Sequence, residues 1–114
     1  MDEGVRASTA KSLLGNWSAL HLLLPKNLAM DDLSNLQAHV RSAVRDAMET
    51  HLRHRPTRVS KSRIKRLPGL SRPQYRVRVG EVRVFYDVTE GAVEVLGIVP
   101  KSAVEAWLKK AGET

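Results

Sequence analysis

The chain has 114 residues, enough for one small domain, and 42% of them are hydrophobic, which suits a modest core and is too many for a disordered chain. Nineteen Lys and Arg against twelve Asp and Glu leave a net charge of +7, and the lack of cysteine excludes disulfide scaffolds, thiolate zinc sites and cysteine nucleophiles. No apolar run approaches the ~18 residues of a membrane span. Leu22–Leu24 is too short for a signal-peptide core, and Asp2 and Glu3 put acid where a signal peptide carries base, so a cytoplasmic protein without membrane association is expected.

Residues 1–17 are weakly patterned and read as an N-terminal extension, within which Ser8–Leu14 has the makings of a short helix capped by Ser8 and stopped at Gly15. The folded domain is expected to occupy residues 18–114. Ser18–Leu24 predicts a strand that Pro25 ends. From Asp31 to about His54 the apolar residues Leu33, Leu36, Val40, Ala43, Val44, Ala47, Met48 and Leu52 recur at three- and four-residue steps, one stripe of an amphipathic helix. Asp31 and Asp32 favour its N-terminal end through capping and the macrodipole. A break near Ser34 to Gln37 is compatible with a helical hairpin, and Pro56 stops the pattern. Thr57–Pro73 reads as a basic connector with turn signals at Pro68-Gly69 and Arg72-Pro73.

The period then changes to two. Tyr75–Val79 and Val82–Val88 alternate cleanly around Gly80-Glu81, with glycine first, as a two-residue hairpin turn prefers. A third strand, Ala92–Val99, follows a turn at Glu90-Gly91 and is broken by Pro100. Ser102 and Glu105 have capping-box spacing for a last helix over about Ala103–Ala111, ended by Gly112. The expected fold class is α+β, with helices packed on one face of a small antiparallel sheet.

The charge is concentrated. Between His51 and Phe85 lie eleven basic residues and a single acid, Glu81, for a local +10, while the rest of the chain carries −3. Such a block suits a phosphate-bearing or acidic-peptide partner, and its excess of Arg over Lys suits bidentate contacts. A two-residue turn at Gly80-Glu81 sets Val79 opposite Val82, Val77 opposite Val84 and Tyr75 opposite Tyr86 on the apolar face. On the other face it sets Arg78 opposite Arg83 and Arg76 opposite Phe85. Opposed like charges destabilise a strand pair by up to ~1 kcal/mol, and an anion between them relieves that. Glu94 and Asp87 could neutralise them instead. The same register, carried to the third strand, puts Leu96 near Phe85 and Ile98 near Arg83. The result is an apolar patch beside the arginines, open to a peptide or a nucleobase unless Val104, Trp107 and Leu108 of the last helix cover it.

Three runs now carry a resemblance: Arg63-Ile64-Lys65-Arg66-Leu67-Pro68-Gly69-Leu70, then Tyr75 to Val88 with its Tyr-Arg-x-Arg-x-Gly-x-x-Arg-x-x-Tyr core, then Val93 to Lys101. Together, over about Met30–Leu108, the chain resembles the RelE/ParE toxins of bacterial type II toxin–antitoxin systems. The resemblance implies a helical hairpin on one face of a small sheet and a short C-terminal helix. In the ribonuclease branch it implies cleavage of mRNA in the ribosomal A site, with the 2′-hydroxyl as nucleophile. Carried over by position, Arg76 and Arg78 match the two basic strand residues and Arg83 the phosphate-binding arginine. Lys101 falls at the late arginine and Trp107 at the late tyrosine. The candidate catalytic set is therefore Arg76, Arg78, Arg83 and Lys101, and the candidate substrate-binding set is Lys61, Arg63, Lys65, Arg66, Phe85 and Trp107. Two departures bear on activity. Indole has no titratable hydroxyl, and arginine is a poor general base.

The resemblance leaves two toxin activities open, a ribosome-dependent endoribonuclease that arrests translation and a ParE-like inhibitor of DNA gyrase. A non-catalytic module binding nucleic acid or antitoxin is the third reading. The resemblance also implies a cognate antitoxin that forms a hetero-oligomer by laying an acidic and apolar segment over Arg78, Arg83, Phe85, Leu96 and Ile98. The further partners are the ribosome and mRNA, or gyrase. No cofactor and no metal ion are expected.

Overall fold

The computed structural model describes residues 20–60 and 63–114; the expected Ser8–Leu14 helix and Lys61 lie outside them. Five strands form one sheet: β1 (His21–Leu23), β2 (Ile64–Arg66), β3 (Tyr75–Val79), β4 (Val82–Thr89) and β5 (Ala92–Pro100), in the order β1-β5-β4-β3-β2. The expected strand at Ser18–Leu24 exists as β1, but it lies parallel to β5, so the sheet is mixed rather than wholly antiparallel. The Thr57–Pro73 connector holds a short strand, β2, which pairs antiparallel with β3 and forms the opposite edge.

The helical hairpin forms where the apolar stripe predicts it. A π-helical turn, Lys26–Met30, runs directly into α1 (Asp31–Ser34), and α2 (Ala38–Ala47) continues through a second π-helical turn, Met48–Leu52. Leu33, Val44, Ala47, Met48 and Leu52 are buried, whereas Ala43 sits just off the stripe and is exposed. These side chains pack on Ile64, Val77, Val84, Tyr86, Val93, Val95 and Ile98 from the sheet. Each fully buried aliphatic side chain contributes about 1.5–3 kcal/mol of burial free energy. The Tyr86 hydroxyl reaches across this core and donates to the Pro56 carbonyl at 2.6 Å, which ties the hairpin's exit to the sheet centre.

Asp31 and Asp32 make no capping hydrogen bond, because the helical path already begins at Lys26. Asp32 instead accepts the Ile98 backbone N–H at 3.0 Å, beyond the point where β1 stops pairing with β5.

The β3–β4 register is the expected one, with Gly80 in the left-handed region at φ 59°, where a Cβ would be strained. The β4–β5 register is not. Leu96 is an extra residue on β5: Tyr86 faces Val95, but Phe85 faces Gly97 and Val84 faces Ile98. This bulge moves every later residue of β5 to the opposite face from the one simple alternation gives. Ile98 therefore enters the helix-side core, 4% exposed, and takes no part in a patch beside the arginines.

A 3₁₀ turn, Lys101–Ala103, leads into α3 (Val104–Ala111), and no side-chain cap forms, so the expected Ser102/Glu105 capping box is absent. Gly112 ends α3, its N–H donating to the Leu108 carbonyl at 2.8 Å. Past it, Glu113 exchanges backbone hydrogen bonds with Arg72, and its carbonyl also accepts the Ser71 N–H. The last helix lies over β4 and β5 on the face away from the hairpin, where Trp107 stacks on Phe85. The β2–β3 side of that face stays uncovered by α3. Among the described residues, no helix is long and apolar enough to cross a membrane.

Candidate functional site

The half-face that α3 does not cover is cationic because of strand parity. Ile64, Val77 and Val84 point to the core, so their neighbours point away from it. Lys65 of β2 lies opposite Arg76 of β3, which lies opposite Phe85; one step on, Arg78 lies opposite Arg83. Side chains opposed in this way start about 5 Å apart. The crowding bears on Arg76, whose guanidinium is held below the ordinary arginine value first by burial and then by the charges of Arg83 and Arg78.

Arg83 is anchored at the hairpin tip, its Nη1 donating to the Gly80 carbonyl at 2.9 Å and the Val82 carbonyl at 3.2 Å. Arg78 is exposed above it. Lys101 joins the same end of the sheet, since its backbone N–H donates to the Glu81 carbonyl at 2.7 Å. Arg76, Arg78 and Arg83 thus share neighbouring strand rows, and the Lys101 backbone lies at the hairpin-tip end of the same sheet.

The carboxylates on this face do not neutralise them. Arg72 holds both, with Nε 2.7 Å from Asp87 Oδ2 and Nη2 3.1 Å from Glu94 Oε1. Asp87 is buried and also accepts the Gln74 N–H at 2.8 Å. Among the described residues no carboxylate forms a salt bridge with Arg76, Arg78 or Arg83.

The other expected contacts divide. Lys65 stands in the cationic row. Arg66 instead lies over the Tyr75 ring, 5.2 Å from its centroid, on the helix side of the sheet edge. Arg63, whose carbonyl accepts the Arg78 N–H at 2.9 Å, also lines a cavity with His51. Phe85 is 1% exposed beneath Trp107, with ring centroids 4.7 Å apart and planes 19° from parallel, so it offers no open ring to a base. Trp107 is wedged against Gly97: a Cβ there would stand 2.7 Å from Cε2 and 3.0 Å from Nε1. The open apolar patch is therefore closed by α3 and by the bulge. What remains of it is a groove of about 220 Å³ between Leu96, Trp107, Arg72, Ala111 and Glu113.

Proton-transfer groups are scarce here. Both tyrosines of the chain lie on the helix side, Tyr75 stacked on Tyr86 at 5.6 Å. Burial first, and then Tyr75, push the Tyr86 phenol well above its ordinary value, so it stays neutral. The face can bind a phosphate and stabilise developing negative charge on it; no phenol or imidazole of the described residues stands in its strand rows. Among the described residues, no cluster of His, Cys, Asp and Glu could hold a metal ion.

Sequence reasoning missed the cavity that Arg63 lines. It measures about 250 Å³ and is walled by Thr50, His51, Arg55, Arg58, Ser60, Arg63 and Ile64. Its cations belong to the basic block, but no local period shows that they converge.

No protein-family model matches the chain, and no curated protein matches it. Solved structures do. A chain of the RelB–RelE antitoxin–toxin complex from Methanococcus jannaschii superposes with a TM-score of 0.53 at 18% identity, covering 75% of this chain and 96% of that one. The fold is RelE-like. A copper-bound mutant toxin from Helicobacter pylori gives a TM-score of 0.49 at 17% identity, covering 75% of this chain and 98% of that one. In this RelE-like fold the helical hairpin and the cationic half-face occupy opposite sides of one sheet, and α3 caps only the β4–β5 half.

Proposed function

We propose that this protein is the toxin of a toxin–antitoxin pair and acts on RNA through the cationic half-face, as a ribosome-dependent mRNA endoribonuclease. One observation carries the reading: Arg76, Arg78 and Arg83 are held side by side with no carboxylate of the described residues between them, while the two acids of that face are engaged by Arg72. A bound phosphodiester removes that repulsion. In cleavage, the 2′-hydroxyl gives its proton to solvent and its oxygen bonds to phosphorus as the bond to the 5′-oxygen breaks, which leaves a 2′,3′-cyclic phosphate and a 5′-hydroxyl protonated from solvent. The guanidinium groups would stabilise the charge that builds on the phosphoryl oxygens. With no phenol or imidazole of the described residues in its strand rows, alignment of the RNA by the ribosome would supply the rest of the rate.

The antitoxin would bind the same face with an acidic segment, its carboxylates pairing with Arg78 and Arg83. The expected apolar half of that contact is reduced to the Leu96–Trp107 groove, because Phe85 and Ile98 are buried.

A second reading is inhibition of DNA gyrase, favoured by one observation: both tyrosines are turned into the helix side and Trp107 is wedged on Gly97, which leaves the strand rows of the face without a phenol or imidazole among the described residues. Purified protein added to ribosomes translating a defined mRNA decides between them. New 5′ ends within the A-site codon support the RNA reading. Intact mRNA together with loss of gyrase supercoiling refutes it in favour of the second.

A further inference from the structure

We infer that the cavity between the end of the helical hairpin and the lead into β2 is a second oxyanion site, one that takes a phosphate group on Arg55, Arg58 and Arg63. It lies against Ile64 at the β2 edge and adjoins the cationic face through Arg63, whose carbonyl accepts the Arg78 N–H at 2.9 Å.

Three chain segments converge on it. Thr50 and His51 come from the π-helical turn that ends the hairpin, Arg55 and Arg58 from the loop after it, and Ser60 and Arg63 from the approach to β2. Cations at a helix C-terminus offset its dipole, which accounts for His51 and Arg55. It does not account for Arg58 and Arg63, which arrive from later in the chain and crowd further positive charge onto the same 250 Å³ space. His51 registers the crowding: burial first, and then the Arg63 charge, hold its imidazole below the ordinary value. Asp46 lies near, lining a shallow neighbouring depression with His51 and Arg63, but forms no salt bridge with Arg63.

Ser60 ties its own backbone to the start of β2. The Ser60 Oγ accepts the Arg63 N–H at 3.0 Å and the Ile64 N–H at 3.2 Å, and the Ser60 N–H donates to the Ile64 carbonyl at 2.9 Å. With both lone pairs of its hydroxyl engaged, Ser60 has only its O–H left to offer, and an O–H donor suits an anion. Three guanidinium groups, a hydroxyl donor and an imidazole form a phosphate-binding inventory with no carboxylate among the described cavity walls. The phosphate can be free or part of a nucleic-acid strand. Arg63 and Lys65 are two residues apart on the edge, roughly 7 Å along the strand, so a backbone crossing β2 can touch this cavity and the cationic face together.

The test uses the full chain with isotopically labelled histidine, titrated first with inorganic phosphate and then with a short RNA lacking terminal phosphates. Inorganic phosphate should shift the His51 imidazole resonances, and Arg58→Gln and Arg55→Gln, both at exposed positions, should weaken that response about tenfold or more. If RNA shifts the same resonances, and Arg58→Gln lowers the salt dependence of RNA binding by about one phosphate contact, the source is a strand. A response to phosphate alone identifies a free phosphate or nucleotide as the source. No His51 response to either probe, or an unchanged response in both variants, overturns the inference. Arg78→Gln separates this from the proposed function. RNA binding lost in Arg78→Gln while His51 stays silent in the wild type leaves the face reading standing and this site refuted. A His51 response to phosphate in a protein that binds no RNA does the reverse.

Discussion

Replacing Gly97 by alanine tests whether Trp107 is a packing residue or a free ring for a substrate. Gly97 does not occupy a left-handed conformation, so alanine fits its backbone, and in an unstrained site that exchange stabilises a protein by about 0.4–1 kcal/mol through the unfolded chain. Here the new methyl would stand 2.7 Å from Trp107 Cε2, with Cζ2 nearer still. Neither is the tip of a flexible chain; both belong to a rigid ring already stacked on Phe85. Overpacking of this kind costs about 1–3 kcal/mol, and displacing the ring from Phe85 adds about 0.5–1.5 kcal/mol. The net cost should be about 1–3 kcal/mol. At roughly 4–8 °C per kcal/mol for a domain near this size, the melting temperature should fall by about 5 °C or more. Thermal unfolding followed by circular dichroism, in wild type, Gly97→Ala, Trp107→Ala and the double variant, isolates the clash. In the Trp107→Ala background the added methyl has room, so Gly97→Ala should become neutral or slightly stabilising, a coupling of about 1–3 kcal/mol. An equal cost in both backgrounds, or no cost in either, would refute the packing role and return Trp107 to the candidate substrate contacts.

Other outcomes follow from the same contacts. Arg83→Ala removes two hydrogen bonds at an exposed turn and no core contact, so it should cost about 1 kcal/mol or less of stability while abolishing growth arrest on expression; full toxicity in a folded variant would contradict the site. Tyr86→Phe leaves the buried Pro56 carbonyl without its donor and should destabilise the protein by about 1–3 kcal/mol in urea unfolding. Because the His51 imidazole is held low in the folded state, the unfolded chain binds more protons just below the ordinary histidine value of about 6.5, so stability should fall as pH drops through that range. His51→Gln should flatten that slope. Sulfate, whose charge is constant there, should bind several-fold more tightly at about pH 5.5 than at about pH 7.5, as His51 gains its proton among Arg55, Arg58, Arg63 and Asp46.

Much of this molecule is legible locally. Period two on either side of Gly80-Glu81 is enough to set the β3–β4 register, because turn length and side-chain alternation leave one pairing that buries Val77, Val84 and Tyr86 together. The same parity puts Arg76, Arg78 and Arg83 on the other face before any tertiary contact is known. The helical stripe from Leu33 to Leu52 is equally local, since its spacing alone gives it one apolar side.

Only the tertiary structure decided the rest. A single extra residue at Leu96 reverses the parity of the end of β5, and no local period announces it; the neighbouring Gly97 becomes intelligible once Trp107 is seen against it. Arg72 claims Asp87 and Glu94 across strands far apart in sequence, which leaves the arginine row without those counter-charges. Arg63 and Lys65 read as one basic run, yet the sheet edge sends one to the cavity beside His51 and the other to the cationic face. Charge along a chain establishes that anions will be attracted. Which anions can be held, and where, depends on side chains that the fold brings together from separate segments, and those distances are not written in any local spacing.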